Sequence, residues 1–259
     1  MREPVSCRPV FRRVAIRSGF GALGIVYFAL GVVLLRVAIL GTRPHEPGVP
    51  AALRLLLSQS YGKWLLGGVV AGLAAIAAAH AAEAAFGHRG PIVRIGLAGN
   101  AIGYVVLATT AARLLLHLRE PDGALEKAGA SWLFRESWGP AVAEVIGVAV
   151  VIGGLWELGQ GVLGRLSFRR DLLPRSLASV LAAICRFGLA ARGLVLVALG
   201  YFLVLAAEQL DPRRVPTMGG ALRALSQTAL GPILTAVIAF GLCAFGVYMW
   251  TLMLLKRKV

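Results

Sequence analysis

The strongest constraint on this 259-residue chain is a succession of apolar blocks, each about 20 residues long, separated by short basic segments. A block of that length matches the roughly 30 Å hydrocarbon core of a bilayer at about 1.5 Å rise per helical residue. Hydropathy places six of them, at Phe20–Leu40, Trp64–Ala85, Ile95–Leu116, Pro140–Leu163, Leu181–Ala207 and Ile233–Leu255. A soluble helical protein would carry polar stripes at helical spacing, and most of these blocks carry none. Hydrophobic residues make up 58% of the chain, above the usual soluble share of roughly 45–50%. The expected class is therefore an all-α, polytopic membrane protein with six transmembrane helices.

Charge supplies the orientation. The net charge of +15 would suit nucleic acid if it lined one face of a soluble domain. Here the arginines flank apolar blocks instead, so they read as topogenic signals and no nucleic-acid partner is expected. Lys and Arg number fifteen on the N-terminus, the loops near 87–94 and 164–186, and Lys256-Arg257-Lys258. The other three loops hold eleven, together with Glu46, Glu120, Asp122, Glu126, Glu136 and Asp211. That bias predicts a cytoplasmic (inner) membrane protein with both termini in the cytoplasm. The basic loops on that side would then touch anionic lipid of the bilayer.

The first block is uncharged from Ser18 to Leu35, with no small-residue cleavage site behind it. A signal peptide's apolar core is only about 7–15 residues, so an uncleaved first span is expected. Trp64, Trp138, Tyr248 and Trp250 lie near block ends, where an aromatic belt would place them. Cys7, Cys185 and Cys243 form no CxxC spacing and read as reduced thiols.

The blocks also repeat. Arg17-Ser18-Gly19, Arg94-Ile95-Gly96 and Arg186-Phe187-Gly188 open the odd-numbered spans at offsets of 77 and 92 residues. Gly62, Gly139 and Gly231 open the even-numbered spans at the same two offsets. Two helices per unit thus keep one register, and the 15 extra residues fall in the basic loop around 165–175. Gly24 and Gly31 match Gly193 and Gly200, and Tyr27 matches Tyr104. The resulting organisation is an N-terminal segment 1–13, hairpin one at 14–90, hairpin two at 91–163, a basic linker 164–182, and hairpin three at 183–259. Units with an even number of spans share one orientation, so the repeats are parallel, with a pseudo-threefold axis along the membrane normal expected. Pro50 to Tyr61 is partly amphipathic; a short helix on the outer leaflet and an extended loop are both compatible with it.

The tandem hairpins, with R-x-G-x-x-A-R-G at Arg186 to Gly193 and A-L-R-A-L before a glycine at Ala221 to Gly231, resemble the bacterial membrane family catalogued as domain of unknown function 1206. The resemblance spans about Val14 to Leu254 and is clearest in the third unit. Leu23 and Asn100 stand where the second arginine, Arg192, appears in that unit. The family carries no established activity, so the resemblance implies a fold and membrane residence and no catalytic residues.

Charged groups within a span cost about 2.5–3.5 kcal/mol each on insertion scales unless they pair or snorkel. His80 and Glu157 share one repeat column, and Glu83 and Gln160 share another, giving two even-numbered spans a polar pair at i, i+3. Leu23, Asn100 and Arg192 form a third column. A cytoplasmic-side polar cluster of His80, Glu83, Asn100, Glu157, Gln160 and Arg192 follows, with Glu157 and Arg192 as its ion pair. Arg113 and Glu144 lie at similar depth near the other end and form a candidate outer pair; Arg36 is nearer that surface. Gly68–Gly72 and Gly99–Gly103 read as close-packing G-x-x-x-G pairs.

No G-x-S-x-G, H-E-x-x-H or P-loop occurs, and the four histidines share no ligand spacing, so neither enzyme, metal nor cofactor is expected. Two functions remain. One is a membrane scaffold or accessory subunit with the polar cluster as internal glue. The other is a small-solute, ion or proton translocator working through Glu157, His80 and Arg192.

Overall fold

The computed structural model describes residues 7–40, 48–87, 90–116, 136–164, 174–209 and 231–255. Seven helices lie among them: α1 (Cys7–Leu40), α2 (Val49–Leu57), α3 (Gly62–Phe86), α4 (Pro91–Leu115), α5 (Gly139–Leu163), α6 (Arg175–Glu208) and α7 (Gly231–Leu255). All except α2 are long and apolar enough to cross a membrane. The chain is thus a multi-pass membrane protein by helix length and composition, with no strand among the described residues.

α3, α5 and α7 are each 25 residues long, and their ends keep the 77- and 92-residue offsets at both termini. α1 and α6 are each 34 residues long and begin well before their apolar blocks. Part of the expected N-terminal segment and of the expected linker (residues 7–13 and 175–182) is therefore helical. Those extensions contain no glycine or proline to stop helix growth beyond the apolar block, apart from Pro9 near the start of α1. α4 lacks such an extension because Gly90 and Pro91 stand at its start.

Spans pack most extensively across unit boundaries: α5 on α6, α7 on α1, and α3 on α4. Hairpin partners α1 with α3 and α6 with α7 pack as well, but α4 and α5 do not form such an interface. The packing order is α4–α3–α1–α7–α6–α5, and the second hairpin is its unjoined pair. That is where the structure departs from three alike hairpins.

Two features make the cross-unit contacts close. Glycines meet backbone: a Cβ on Gly200 would lie 2.7 Å from the Gly147 carbonyl oxygen, and one on Gly193 2.7 Å from that of Gly154. In α1 against α7, a Cβ on Gly24 would lie 3.0 Å from the Gly246 oxygen and one on Gly31 2.6 Å from the Ala239 oxygen. Every one of these α1–α7 positions is the repeat equivalent of its α6–α5 counterpart. Then, the three opening arginines each donate two hydrogen bonds to carbonyls at the C-terminus of the span packed across the unit boundary: α7 for Arg17, α3 for Arg94 and α5 for Arg186. Arg17 reaches Met253 and Leu254 (2.8 and 3.2 Å). Arg94 reaches Ala84 and Ala85 (2.7 and 2.9 Å). Arg186 reaches Gly161 and Val162 (3.0 and 2.6 Å). A helix C-terminus leaves four carbonyls unpaired, and a guanidinium supplies both the donors and the charge that suits the dipole there.

Two expectations change here. Of the G-x-x-x-G pairs, only Gly72 packs tightly, against the Ser18 carbonyl oxygen (2.9 Å for a Cβ); Gly68, Gly99 and Gly103 face open space. The close-packing glycines are instead spaced by seven, as in Gly24/Gly31 and Gly193/Gly200, because these spans lie along each other over several turns. Tyr248 is buried and Trp250 donates to the Gly21 carbonyl at 3.3 Å, so neither belongs to an interfacial belt, whereas Trp64 and Trp138 are exposed.

The amphipathic stretch is helical, as α2, yet it does not simply rest on a membrane surface. Ala52 and Leu53 are fully buried, and α2 packs on α1, α3 and α4, with Leu53 entering the same core as Leu66, Ala108 and Ala111. The equivalent stretches of units two and three lie outside the described residues.

Candidate functional site

Polar chemistry inside the spans gathers around Arg192, six residues beyond Arg186 on α6, or about 9 Å along the helix. Its Nη1 donates to Glu157 Oε1 on α5, and its Nε donates to the Tyr27 hydroxyl on α1 at 3.1 Å. The guanidinium also lies over two aromatic rings, 4.9 Å from the Phe245 centroid on α7 and 5.6 Å from that of Tyr27. Those two rings meet edge to face at 4.8 Å. A cation over ring faces is attracted by the quadrupole, more strongly where water is excluded. One side chain of unit three is thereby held by unit one through Tyr27 and by unit two through Glu157.

The α5–α6 interface makes this possible. Gly154 and Gly193 bring the two backbones together, and Glu157 and Arg192 lie within one turn of that contact on facing sides. A carboxylate and a guanidinium neutralise one another there, which lowers the cost of taking either out of water. Neither is sealed: Arg192 keeps 19% and Glu157 25% of its side-chain surface exposed. Glu157 Oε2, by contrast, is buried and accepts no hydrogen bond.

Tyr104 on α4, the repeat equivalent of Tyr27, lies within electrostatic reach of Arg192, Tyr27 and Glu157. Its ring packs edge-on against His80 at 5.4 Å. His80 Nδ1 is 2.9 Å from the Ile76 carbonyl, which can only accept, so Nδ1 carries the hydrogen. The expected six-residue cluster is thus redistributed. Arg192 and Glu157 are joined directly, whereas His80 packs on Tyr104. Asn100 is exposed on α4 and Gln160 half-buried on α5, neither with a side-chain hydrogen bond among the described residues; Glu83 sits in the last turn of α3, half-buried. The outer pair does not form, since Glu144 is exposed on α5 with no ion pair among the described residues. Arg113 is on α4, which does not pack against α5.

Sequence reasoning missed Tyr27, Tyr104 and Phe245. The matching of Tyr27 with Tyr104 was the available signal, but a phenol in a span reads as packing until a charged partner is placed beside it. Elsewhere, α3 and α4 form an apolar groove of about 340 Å³ lined by alanines, Val105 and Thr109. The Cys185 thiol donates to Thr251 Oγ1 at 3.9 Å and the Cys243 thiol to the Phe28 carbonyl at 3.7 Å. No cluster of three His, Cys, Asp or Glu side chains among the described residues is arranged to hold a metal ion.

The family model described as Domain of Unknown Function (DUF1206) matches residues 18–87 and 187–252. Those segments are the first and third hairpins. The uncharacterized protein YxxB of Bacillus subtilis (strain 168) is 26% identical over 243 residues, covering 90% of this chain and 86% of that protein. No solved structure matches.

Proposed function

The chain belongs to the family described as domain of unknown function 1206, and from the geometry of its polar centre we propose that it is a membrane scaffold or accessory subunit. The observation that supports this reading most is the set of partners around Arg192, drawn from α1, α5 and α7 and thus from all three units. Such a group acts as a clamp. It fixes the units relative to one another, engaging the guanidinium through its Nε and Nη1 and through the two ring faces beneath it. In this reading the three hairpins are tandem repeats about a pseudo-threefold axis, in the cytoplasmic membrane with both termini inside. The arginine caps recur at all three boundaries between units and the glycine contacts at two of them, α5–α6 and α1–α7, which supports it. The basic cytoplasmic loops then meet anionic lipid or a partner protein.

A second reading, proton or small-solute translocation through Glu157, is favoured by one observation, the buried Oε2 that accepts no hydrogen bond. The two separate in liposomes. A scaffold gives no pH-driven flux in the wild type, and Glu157→Gln lowers the unfolding midpoint. A translocator gives flux that Glu157→Gln abolishes while the protein stays folded.

A further inference from the structure

The second hairpin differs from the other two at one defined place. In unit one, a Cβ on Gly19 would lie 2.8 Å from Ile76 Cγ2, so α1 and α3 touch there. In unit three, a Cβ on Gly188 would lie 2.7 Å from Phe245 Cα, so α6 and α7 touch at the equivalent position. The equivalents in unit two are Gly96 on α4 and Gly153 on α5. Each meets nothing within 4 Å, and both are exposed. Gly19 meets the Ile76 side chain and Gly188 meets the backbone at Ala244 and Phe245; in unit two the large residue is replaced by Gly153 on α5, while the opposing glycine is kept on α4.

Each of these two helices is held from one side. α4 packs on α3 and α2, and α5 on α6. The face of α4 around Gly96, Asn100 and Gly103 is bare at a depth where the other odd-numbered spans are covered. Between two membrane spans, such a gap is filled either by acyl chains or by the spans moving together. Glycines at 96 and 153 present no side chain to oppose approach, and an Asn in a glycine-lined face favours helix contact over lipid.

We propose that the α4–α5 seam is a lateral gate: unit two exchanges between the open arrangement, with lipid between α4 and α5, and a closed one in which Gly96 meets Gly153. The closed form reproduces in unit two the hairpin contact of units one and three. Exchange is confined to this unit because Ile76 and Phe245 are already packed in theirs. The gate borders the polar centre, since Glu157 lies one turn from Gly153 on α5 and Tyr104 two turns from Gly96 on α4. Opening and closing therefore alter how much of the Arg192–Glu157 pair the bilayer reaches.

The test uses the full chain in lipid nanodiscs, with its native cysteines replaced and Gly96→Cys and Gly153→Cys introduced. Both positions have open space for a side chain, so folding is retained and is checked by the unfolding midpoint. Ala78→Cys with Val105→Cys, across the packed α3–α4 groove, sets the cross-linking conditions. The expected result is a 96–153 disulfide forming to the same extent as the control, and two separate distances between spin labels at 96 and 153. A single long distance with no cross-link, under conditions that join the control pair, overturns the proposal. A single short distance overturns it too, because the hairpin would then be permanently closed.

Discussion

At the residue scale, Arg192 illustrates how a half-buried charge within a span is made tolerable. Its carboxylate partner, phenol and two ring faces together replace the water it gives up. Removing one partner strands the other, so Glu157→Leu alone should destabilise by about 3–5 kcal/mol. Replacing both, with Arg192→Met and Glu157→Leu, should cost much less, because no unpaired charge remains. Thermal unfolding in detergent, run as a double-mutant cycle, checks both; additive losses would show that the pair is not coupled. Tyr27→Phe keeps the ring and removes one hydrogen bond to a charged group, with an expected loss of about 1.5–3 kcal/mol. The rings under the guanidinium stay in place in that variant, so a larger loss would mean that the phenol organises more than Arg192.

At the element scale, the cross-unit interfaces depend on backbone approach. Gly31→Leu and Gly200→Leu each push a side chain into a facing backbone carbonyl at under 3 Å. Overpacking of this kind costs about 1–3 kcal/mol or more where backbone must shift. Gly68→Leu, at a position with open space, should leave the unfolding midpoint unchanged. Gly153→Phe is the informative opposite. It installs on α5 a large apolar residue of the kind that α3 and α7 carry at this position, as Ile76 and Phe245, and so should raise the midpoint by filling the space beside Gly96 of α4. A fall in midpoint would mean that the second hairpin does not close in this way.

At the scale of the whole molecule, order in the membrane comes from contacts between units as much as within them. Arg94 and Arg186 each cap the previous span, and Arg17 of the first span caps the last, α7. Arg17→Ala should therefore loosen the C-terminal end of α7, distant by more than two hundred residues in sequence. Hydrogen exchange at 250–255 is the measurement; protection equal to wild type would place the α1–α7 attachment elsewhere. A fluorescent reporter on the C-terminus should fluoresce in the cytoplasm, and its export would reverse the orientation.

The sequence by itself determined the number of long apolar helices and the 77- and 92-residue offsets between them. Those properties depend on local hydropathy and on fixed offsets, both of which survive without knowledge of what touches what. It also singled out Glu157 and Arg192, because charge in an apolar block is conspicuous. Only the tertiary structure decided which polar residues meet. Tyr27 is 165 residues from Arg192 and becomes its partner solely because α7 packs on α1 and α6. Asn100, in the same repeat column as Arg192, is left exposed because α4 and α5 do not join. Column equivalence specifies depth along a helix, but contact depends on which neighbour lies across from that face.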